Sequence, residues 1–554
     1  MRLTLGLLFA AVAFAQTPVQ IQVGPAAEGQ WRPVWRFFGY DEPNYTYMKD
    51  GKKLLSEIAA LSPHTVHVRV HNLLTTGDGT AALKWGSTNA YTEDANGKPV
   101  YNWTIVDRIF DTLVERKMKP LVEIGFMPQA LSVKPEPYRH HWDPAQKYQN
   151  IYTGWAQPAK DYAKWSELVY QWVKHSVARY GKAEVESWYW EVWNEPDIGY
   201  WQSTPEEYFK LYDHSADAVK RALPGIRIGG PTTTGPGNEK AAAFLRAFLD
   251  HVVKGRNFAT GKTGSPLDYI SFHAKGRPTV VDGHVRMGSD KQMNDVSKGF
   301  EIVASYPTLK KLPIIIGESD PEGCAACSVR FNPQNAYRNG TMYSSYTAAT
   351  FARKNQLALR HGVNFEGAVT WAFEFEDQPY FDGFRDLATN GIDKPVLNVF
   401  RMFGLMDGQQ LAVKSSGALT LDEIVKSGVK DQPDINAVAT RGDKVISVMA
   451  WNYHDDDLTG TPAPVALKVA GIAANATRAL VRHYRIDRDH SNSYTVWLAM
   501  GSPQSPTPAQ YAQLEAAGQL QSLGSPAWVP VKAGAVELTF PLPRQAVSLV
   551  QVSW

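Results

Sequence analysis

The sequence predicts an α/β fold: a (β/α)8 TIM barrel followed by a C-terminal all-β sandwich domain. Three observations carry the prediction. Short apolar runs alternate with longer amphipathic stretches over roughly residues 30–405, the pattern of repeated βα units. No G-x-G-x-x-G follows an early run, which weighs against a doubly wound open sheet. From about residue 409 the helical stretches give way to strand-like runs, with loops rich in Pro, Gly and Asp.

The strand candidates follow in order. They are "RFFGY" (36–40), "TVHVRVHNL" (65–73), "KPLVEIGFM" (119–127) and "VESWYWEVW" (185–193), then "IRIGGPT" (226–232), "LDYISFHA" (267–274), "LPIIIGES" (312–319) and "EGAVTWAFEF" (366–375). Between them, "DYAKWSELVYQWVKHSVARY" (161–180) spaces Trp165, Leu168, Val169, Trp172 and Val173 by three and four residues, which predicts a helix with one buried face. "TPEEYFKLYDHSADAVKRAL" (204–223) opens on Thr204, Pro205 and two acids, a helix start. Beyond 409, the β-type runs are 444–453, 463–472, 478–487, 535–543 and 545–554. "VQIQVG" (19–24) is positioned to add a strand to that region. The expected units are therefore a signal segment (1–15), an N-terminal strand (16–29), the barrel (30–408) and the β domain (409–554).

The composition excludes several functions. The chain has 554 residues, with 57 basic and 55 acidic side chains and a net charge of +2. Nothing in that balance draws nucleic acid or an anionic membrane surface. The 17 Trp and 25 Tyr suit core packing, and they also suit stacking on the apolar faces of sugars. At the N-terminus, Arg2, the apolar run Leu3 to Val12 and Ala13-Phe14-Ala15 read as a secretory signal with an A-x-A cleavage site, so export is expected. The two cysteines, Cys324 and Cys327, cannot supply the four ligands of a structural zinc site. A local disulfide or two quiet thiols is the reading for them. Neither a metal nor a cofactor is expected.

In a (β/α)8 barrel the carboxyl ends of the strands form the active site. Two glutamates directly follow apolar strands there: Glu195 in "YWEVWNE" and Glu318 in "IIIGE". About three βα units separate them, so they face each other across the barrel mouth. Such a pair can hydrolyse a glycosidic bond, one carboxyl protonating the leaving oxygen while the other attacks the anomeric carbon or activates water. Trp190 and Trp193 are expected to wall Glu195 and favour its protonated form. Glu318, followed by Ser319 and Asp320, is expected to stay ionised as a nucleophile.

"VRVHNLL", "LVEIGFMP", "EVWNEPD", "DYISFHAKG", "IIIGESDP", "KPVLNVFRMFG" and "YRIDRDHSNSYTVWLAMGSP" together resemble glycoside hydrolase family 39, the β-xylosidases and α-L-iduronidases. The resemblance implies that Glu195 is the general acid/base, Glu318 the nucleophile and Asn194 the partner of the sugar 2-hydroxyl. It further implies that His71 and His273 bind hydroxyls, that Phe126 walls the pocket and Trp371 floors it, and that Glu376 and Asp377 contact outer hydroxyls. The implied partner is an oligosaccharide. On the choice of sugar, Lys275 resembles the iduronidase lysine that meets the C5 carboxylate. Asp393 stands where iduronidases carry an arginine, and with "EFEDQPYFD" it weighs for a neutral ring. The expectation is a retaining, exo-acting β-xylosidase. The alternatives are an iduronidase-like enzyme, an exo-glycosidase for arabinose or galactose units, or a carbohydrate-binding protein without catalysis.

Overall fold

The computed structural model describes residues 17–145 and 149–554; the expected signal segment lies outside them. Eight parallel strands close a barrel. They are β1 (Phe37–Tyr40), β2 (His67–Val70), β3 (Lys119–Ile124), β4 (Tyr189–Val192), β5 (Arg227–Thr233), β6 (Tyr269–Phe272), β7 (Pro313–Ile316) and β8 (Asn364–Trp371). Each lies within or beside one of the eight expected runs. The barrel closes where β8 pairs with β1, Trp371 against Gly39. A Cβ on Gly39 would stand 2.4 Å from the Trp371 ring, so this close approach requires glycine.

Strand alternation divides each apolar run between two cores. Phe37, Leu121, Tyr189, Tyr269, Ile315, Val369 and Trp371 fill the barrel interior. Trp190, one residue on from Tyr189, faces outward and meets Trp172 edge-on at 5.3 Å between ring centroids. Trp172 belongs to the helix Tyr162–Tyr180, whose first turn is capped by Asp161 accepting from the amides of Ala163 and Lys164. The helix Pro205–Ala222 is capped by Thr204.

The C-terminal strands form one mixed sheet of ten strands. The N-terminal strand, Val19–Gln30, lies inside it, antiparallel to Gln409–Ser415 and parallel to Ala463–Ala470. Asp434–Gly442, which the sequence pattern did not reveal, pairs along its whole length with Val445–Tyr453. Ile21, Leu467, Val448 and Val550 share this sheet's own apolar core. Three short helices, Leu421–Ser427, Ser493–Ala499 and Pro508–Gly518, also occur in this half. Asp434 fastens the sheet to the barrel: it accepts from Arg353 on the helix Thr341–His361 at 2.6 Å and from the Trp451 indole at 3.1 Å.

Candidate active site

The turns that follow the barrel strands aim the candidate residues. After β4, Trp193 and Glu195 take φ of +71° and +43°, a region that strains L-residues and is held by its surroundings. The Glu195 amide donates to the Thr232 carbonyl at 2.9 Å, and Asp197 accepts from the Thr234 amide at 2.9 Å. After β7, the Gly317 amide donates to Phe272 and the Ser319 amide to Val369, each at 2.9 Å. Glu318 is thus fixed between β6 and β8.

These turns bring Glu195, His273 and Glu318 together. One side-chain atom from each lies within 4.8 Å of the others. His273 Nδ1 stands 2.8 Å from Glu195 Oε1 and 3.9 Å from Glu318 Oε1. Its Nε2 is buried with no hydrogen-bond partner among the described residues. An approach of single oxygens this close is compatible with the carboxyl spacing of about 5–5.5 Å used for direct nucleophilic attack.

Four nitrogen-bearing groups surround Glu318. Lys275 Nζ donates to Oε2. Arg69 Nη1 is 3.3 Å and His71 Nε2 3.6 Å from Oε1. Burial alone would raise the carboxyl; Lys275, His273, Arg69 and His71 outweigh it and hold Glu318 well below the ordinary carboxylate range. The expectation of an ionised residue at this position therefore has a direct physical cause, supplied by these groups.

Arg69 is wholly buried beneath the pocket. It donates to Glu191, to Glu123 Oε2 at 3.0 Å and to Asn194 Oδ1 at 2.9 Å, and its guanidinium lies 4.9 Å from the Trp371 ring centroid. This fixes the Asn194 amide group. Its Nδ2 is buried and has no partner among the described residues, which leaves a donor for a sugar hydroxyl.

A cavity of about 390 Å³ opens above these groups. Glu195, His273, Lys275, Glu318 and Trp371 line it, together with Asp41 and Lys84, which the sequence pattern did not single out. Asp41 immediately follows β1, so the rule that found the other residues applies to it equally. Lys84 lies in a loop and gave no sequence signal. Tyr152, Tyr200 and Lys291 complete much of the wall. Phe126 stands behind, 5.7 Å from the Tyr200 ring and 5.6 Å from His71.

Four expectations need correction. Trp190 does not wall Glu195, because strand alternation turns it toward Trp172; Trp193 packs on Phe126 and Trp201. His71 does not offer its ring to a hydroxyl. Its Nδ1 is 2.8 Å from Asp41 Oδ1 and its Nε2 2.9 Å from Glu123 Oε2. Burial opposes charge on this ring, but Glu123 and Asp41 overcome it and push His71 up to about 9. Asp393 does not line the cavity: it is buried against Arg401 at 2.6 Å and Gln519 at 3.0 Å. Glu376 and Asp377 are also absent from its walls. The Asp377 amide donates to Asn390, and Glu376 is turned toward the backbone of Asp50 and Gly51.

Cys324 and Cys327 form a disulfide, and Cys324 lines the cavity. The wholly buried Arg338 donates to the Cys324 carbonyl at 2.6 Å and to Glu322 at 2.5 Å, while Arg385 bonds the same Glu322 carboxylate at 2.7 Å. The loop that follows Glu318 is therefore fastened from both sides.

Comparison with known proteins agrees with this geometry. The family description "Glycosyl hydrolases family 39" matches residues 20–527. A β-xylosidase of Caldicellulosiruptor saccharolyticus is 27% identical over 428 residues, spanning 75% of this chain and 76% of its own. An α-L-iduronidase of Mus musculus is 25% identical over 547 residues, spanning 92% and 77%. The crystal structure of a monomeric β-xylosidase from Caulobacter crescentus CB15 superposes with a TM-score of 0.72 at 22% identity, covering 97% of this chain and 99% of that one. A match that runs through both the barrel and most of the second sheet, over a cavity with two facing glutamates, makes the chain a glycoside hydrolase: it belongs to glycosyl hydrolases family 39.

Proposed function

We propose that this glycosidase is a retaining, exo-acting enzyme that releases xylose from the ends of β-xylosides. The observation that carries the reading is the close approach of Glu195 and Glu318, with side-chain oxygens within 4.8 Å and with Glu318 held ionised. Glu195 gives its proton to the glycosidic oxygen as Glu318 attacks the anomeric carbon, and the bond to the leaving sugar breaks. A glycosyl ester on Glu318 results. Glu195, now a carboxylate, takes a proton from water; that water attacks the anomeric carbon and frees Glu318. Asn194 Nδ2 is free to donate to the 2-hydroxyl, and His273 links the two carboxylates.

A neutral sugar is favoured by the pairing of the pocket lysines. Lys275 is bound to Glu318, Lys84 to Asp41 and Lys291 to Asp295. A uronate carboxylate would have to compete with a protein carboxylate for each of them. The second reading, an α-L-iduronide, rests on Lys275 itself, whose ammonium stands beside the reacting carboxylate. Export belongs to the proposal too, on the strength of Arg2, the apolar run after it and Ala13-Phe14-Ala15.

The test is a panel of nitrophenyl glycosides that includes β-D-xyloside and α-L-iduronide, with early products read by proton NMR. The proposal expects xyloside turnover with the anomeric configuration kept. Glu318→Ala should lose activity, and azide should restore it as the opposite-anomer glycosyl azide. Glu195→Ala should keep part of its activity on good leaving groups. An inverted first product would remove the double displacement, and faster iduronide turnover would select the second reading.

A further inference from the structure

A second cavity, about 420 Å³, lies beside the catalytic one, and Lys291 lines both. Lys291 is held at this crossing by Asp295 Oδ2 at 2.7 Å and the Lys275 carbonyl at 3.1 Å. The two spaces therefore meet at a fixed side chain.

The second cavity has walls from both halves of the chain. One wall is the segment after β6. It carries Arg277 and an antiparallel hairpin, Thr279–Val281 with His284–Arg286. The other is Lys430 and Asp431, which precede the strand Asp434–Gly442. The buried Asp455 ties the walls together, accepting from Ser289 Oγ at 3.0 Å and from the Val429 amide at 2.9 Å. Arg286, which lines the cavity, is 2.6 Å from Asp456, and His284 Nδ1 is 3.1 Å from Asp457. The hairpin is thus anchored through its second strand to the segment that follows Val445–Tyr453.

The lining suits a sugar without charge. Arg277, Lys430, Asp290 and Asp431 face the space, and none has an ion-pair partner among the described residues. Two cations and two anions supply strong donors and acceptors with no net charge between them, a combination that hydroxyl groups satisfy in both directions. Val281, 45% exposed, adds an apolar surface for the C–H face of a ring. The position also fits. Glu195, Thr234, Gly235 and Lys291 all line the catalytic cavity. Glu195 and the second space are thus joined through Lys291, which lines both cavities.

We propose that this groove binds the second and later neutral sugar units of the leaving group, so that the enzyme prefers oligosaccharides and the second sheet takes part in choosing them. The inference rests on the glycosidase reading above and on Glu195 as its acid.

The experiment compares kcat/KM for nitrophenyl β-xyloside, xylobiose, xylotriose and xylotetraose in the full chain. Wild-type protein should gain roughly 5- to 20-fold from the disaccharide to the tetrasaccharide, the scale of one or two added hydrogen bonds. Arg277→Ala and the pair Lys430→Ala, Asp431→Ala should flatten that gain and leave nitrophenyl xyloside turnover within twofold. Equal kcat/KM for all oligosaccharides in the wild type would overturn the groove, as would a gain that survives both variants. Failure of the glycosidase reading looks different, because nitrophenyl xyloside itself would then go uncleaved. If another nitrophenyl sugar is cleaved instead, oligosaccharides of that sugar should show the same gain in the wild type and the same flattening in the variants, and a missing gain would again overturn the groove.

Discussion

The Lys275 ammonium donates directly to the carboxylate of Glu318. Its side chain is only 14% exposed and that of Glu318 6%, so water screens the pair weakly. Removing one partner of such a buried charge pair costs about 2–5 kcal/mol. Burial then drives the Glu318 carboxyl upward. Lys275→Ala should move the acid limb of kcat/KM to higher pH and lower activity at mildly acid pH by roughly 30-fold or more. Lys275→Arg keeps the charge and should keep most of the profile. An unmoved acid limb in Lys275→Ala would show that Arg69 and the histidines suffice.

Asn194 should act through the 2-hydroxyl alone. Its Oδ1 is held by Arg69 and its Nδ2 is unpartnered among the described residues. Contacts at this hydroxyl strengthen in the transition state and supply several kcal/mol. Asn194→Ala should lower kcat/KM roughly 100-fold or more on a complete sugar. On a 2-deoxy glycoside, the variant and the wild type should nearly converge. Additive losses would place Asn194 outside that contact.

His71 makes stability depend on pH in a defined window. Its charged form is favoured in the fold, with the ring pushed up to about 9 against about 6.5 in an unfolded chain. The contribution is complete below about 6.5 and disappears as pH rises through 9, and it amounts to about 3 kcal/mol. Denaturant unfolding of wild type and His71→Asn should therefore differ most near pH 6 and least above 9. A difference that does not change with pH would mean that the ring is neutral.

Asp393 should matter to stability and be silent in sugar choice. It is buried against Arg401 and Gln519. Asp393→Arg should destabilise the protein by about 3–5 kcal/mol, because it leaves Arg401 facing a second cation. The ratio of xyloside to iduronide turnover should stay that of the wild type. A shifted ratio would bring Asp393 back to the pocket.

The Cys324–Cys327 bridge should act on binding more than on folding. It closes a very short loop, for which chain entropy gives only about 2 kcal/mol. Cys324 lines the catalytic cavity, and Arg338 and Arg385 hold the loop by other means. Cys324→Ser with Cys327→Ser should raise KM several-fold, change kcat little and leave the cooperative unfolding transition in place. A fall in kcat at constant KM would point to displaced Glu318 instead.

Much of this site was legible because barrels concentrate chemistry at one place in each repeat. The last residues of the runs include Glu195, His273 and Glu318, and the same rule applied to the first strand points to Asp41. The charges beneath the pocket also leave a signal in the sequence. Arg69, Glu123 and Glu191 each stand between two apolar neighbours in a barrel strand, and inside a barrel such residues must satisfy one another. The errors came from direction. A strand's neighbours in sequence point to opposite faces, which is why Trp190 and Tyr189 belong to different cores. Whether His71 gives its nitrogens to protein or to substrate depends on residues that arrive from other strands, and a linear pattern does not contain them. The loops differ again: Lys84, Glu376 and Asp377 take their positions from the packing of their surroundings, which carries no period.

The strand Val19–Gln30 spends synthesis without its neighbours. Both of them, Gln409–Ser415 and Ala463–Ala470, emerge from the ribosome only after the whole barrel has been made. Until then it is a bare strand with two unpaired edges, the kind of surface that recruits other chains. The barrel can close behind it, since domains tend to fold as they are synthesised, but the ten-stranded sheet cannot. A fragment that stops near residue 408 would carry this unsatisfied edge permanently and should aggregate. Removing the strand as well would cut Ala463–Ala470 and Ala535–Leu542 off from the rest of the later sheet. The two halves of the molecule are thus stitched together by the order of the chain, and neither can be harvested alone by a single cut.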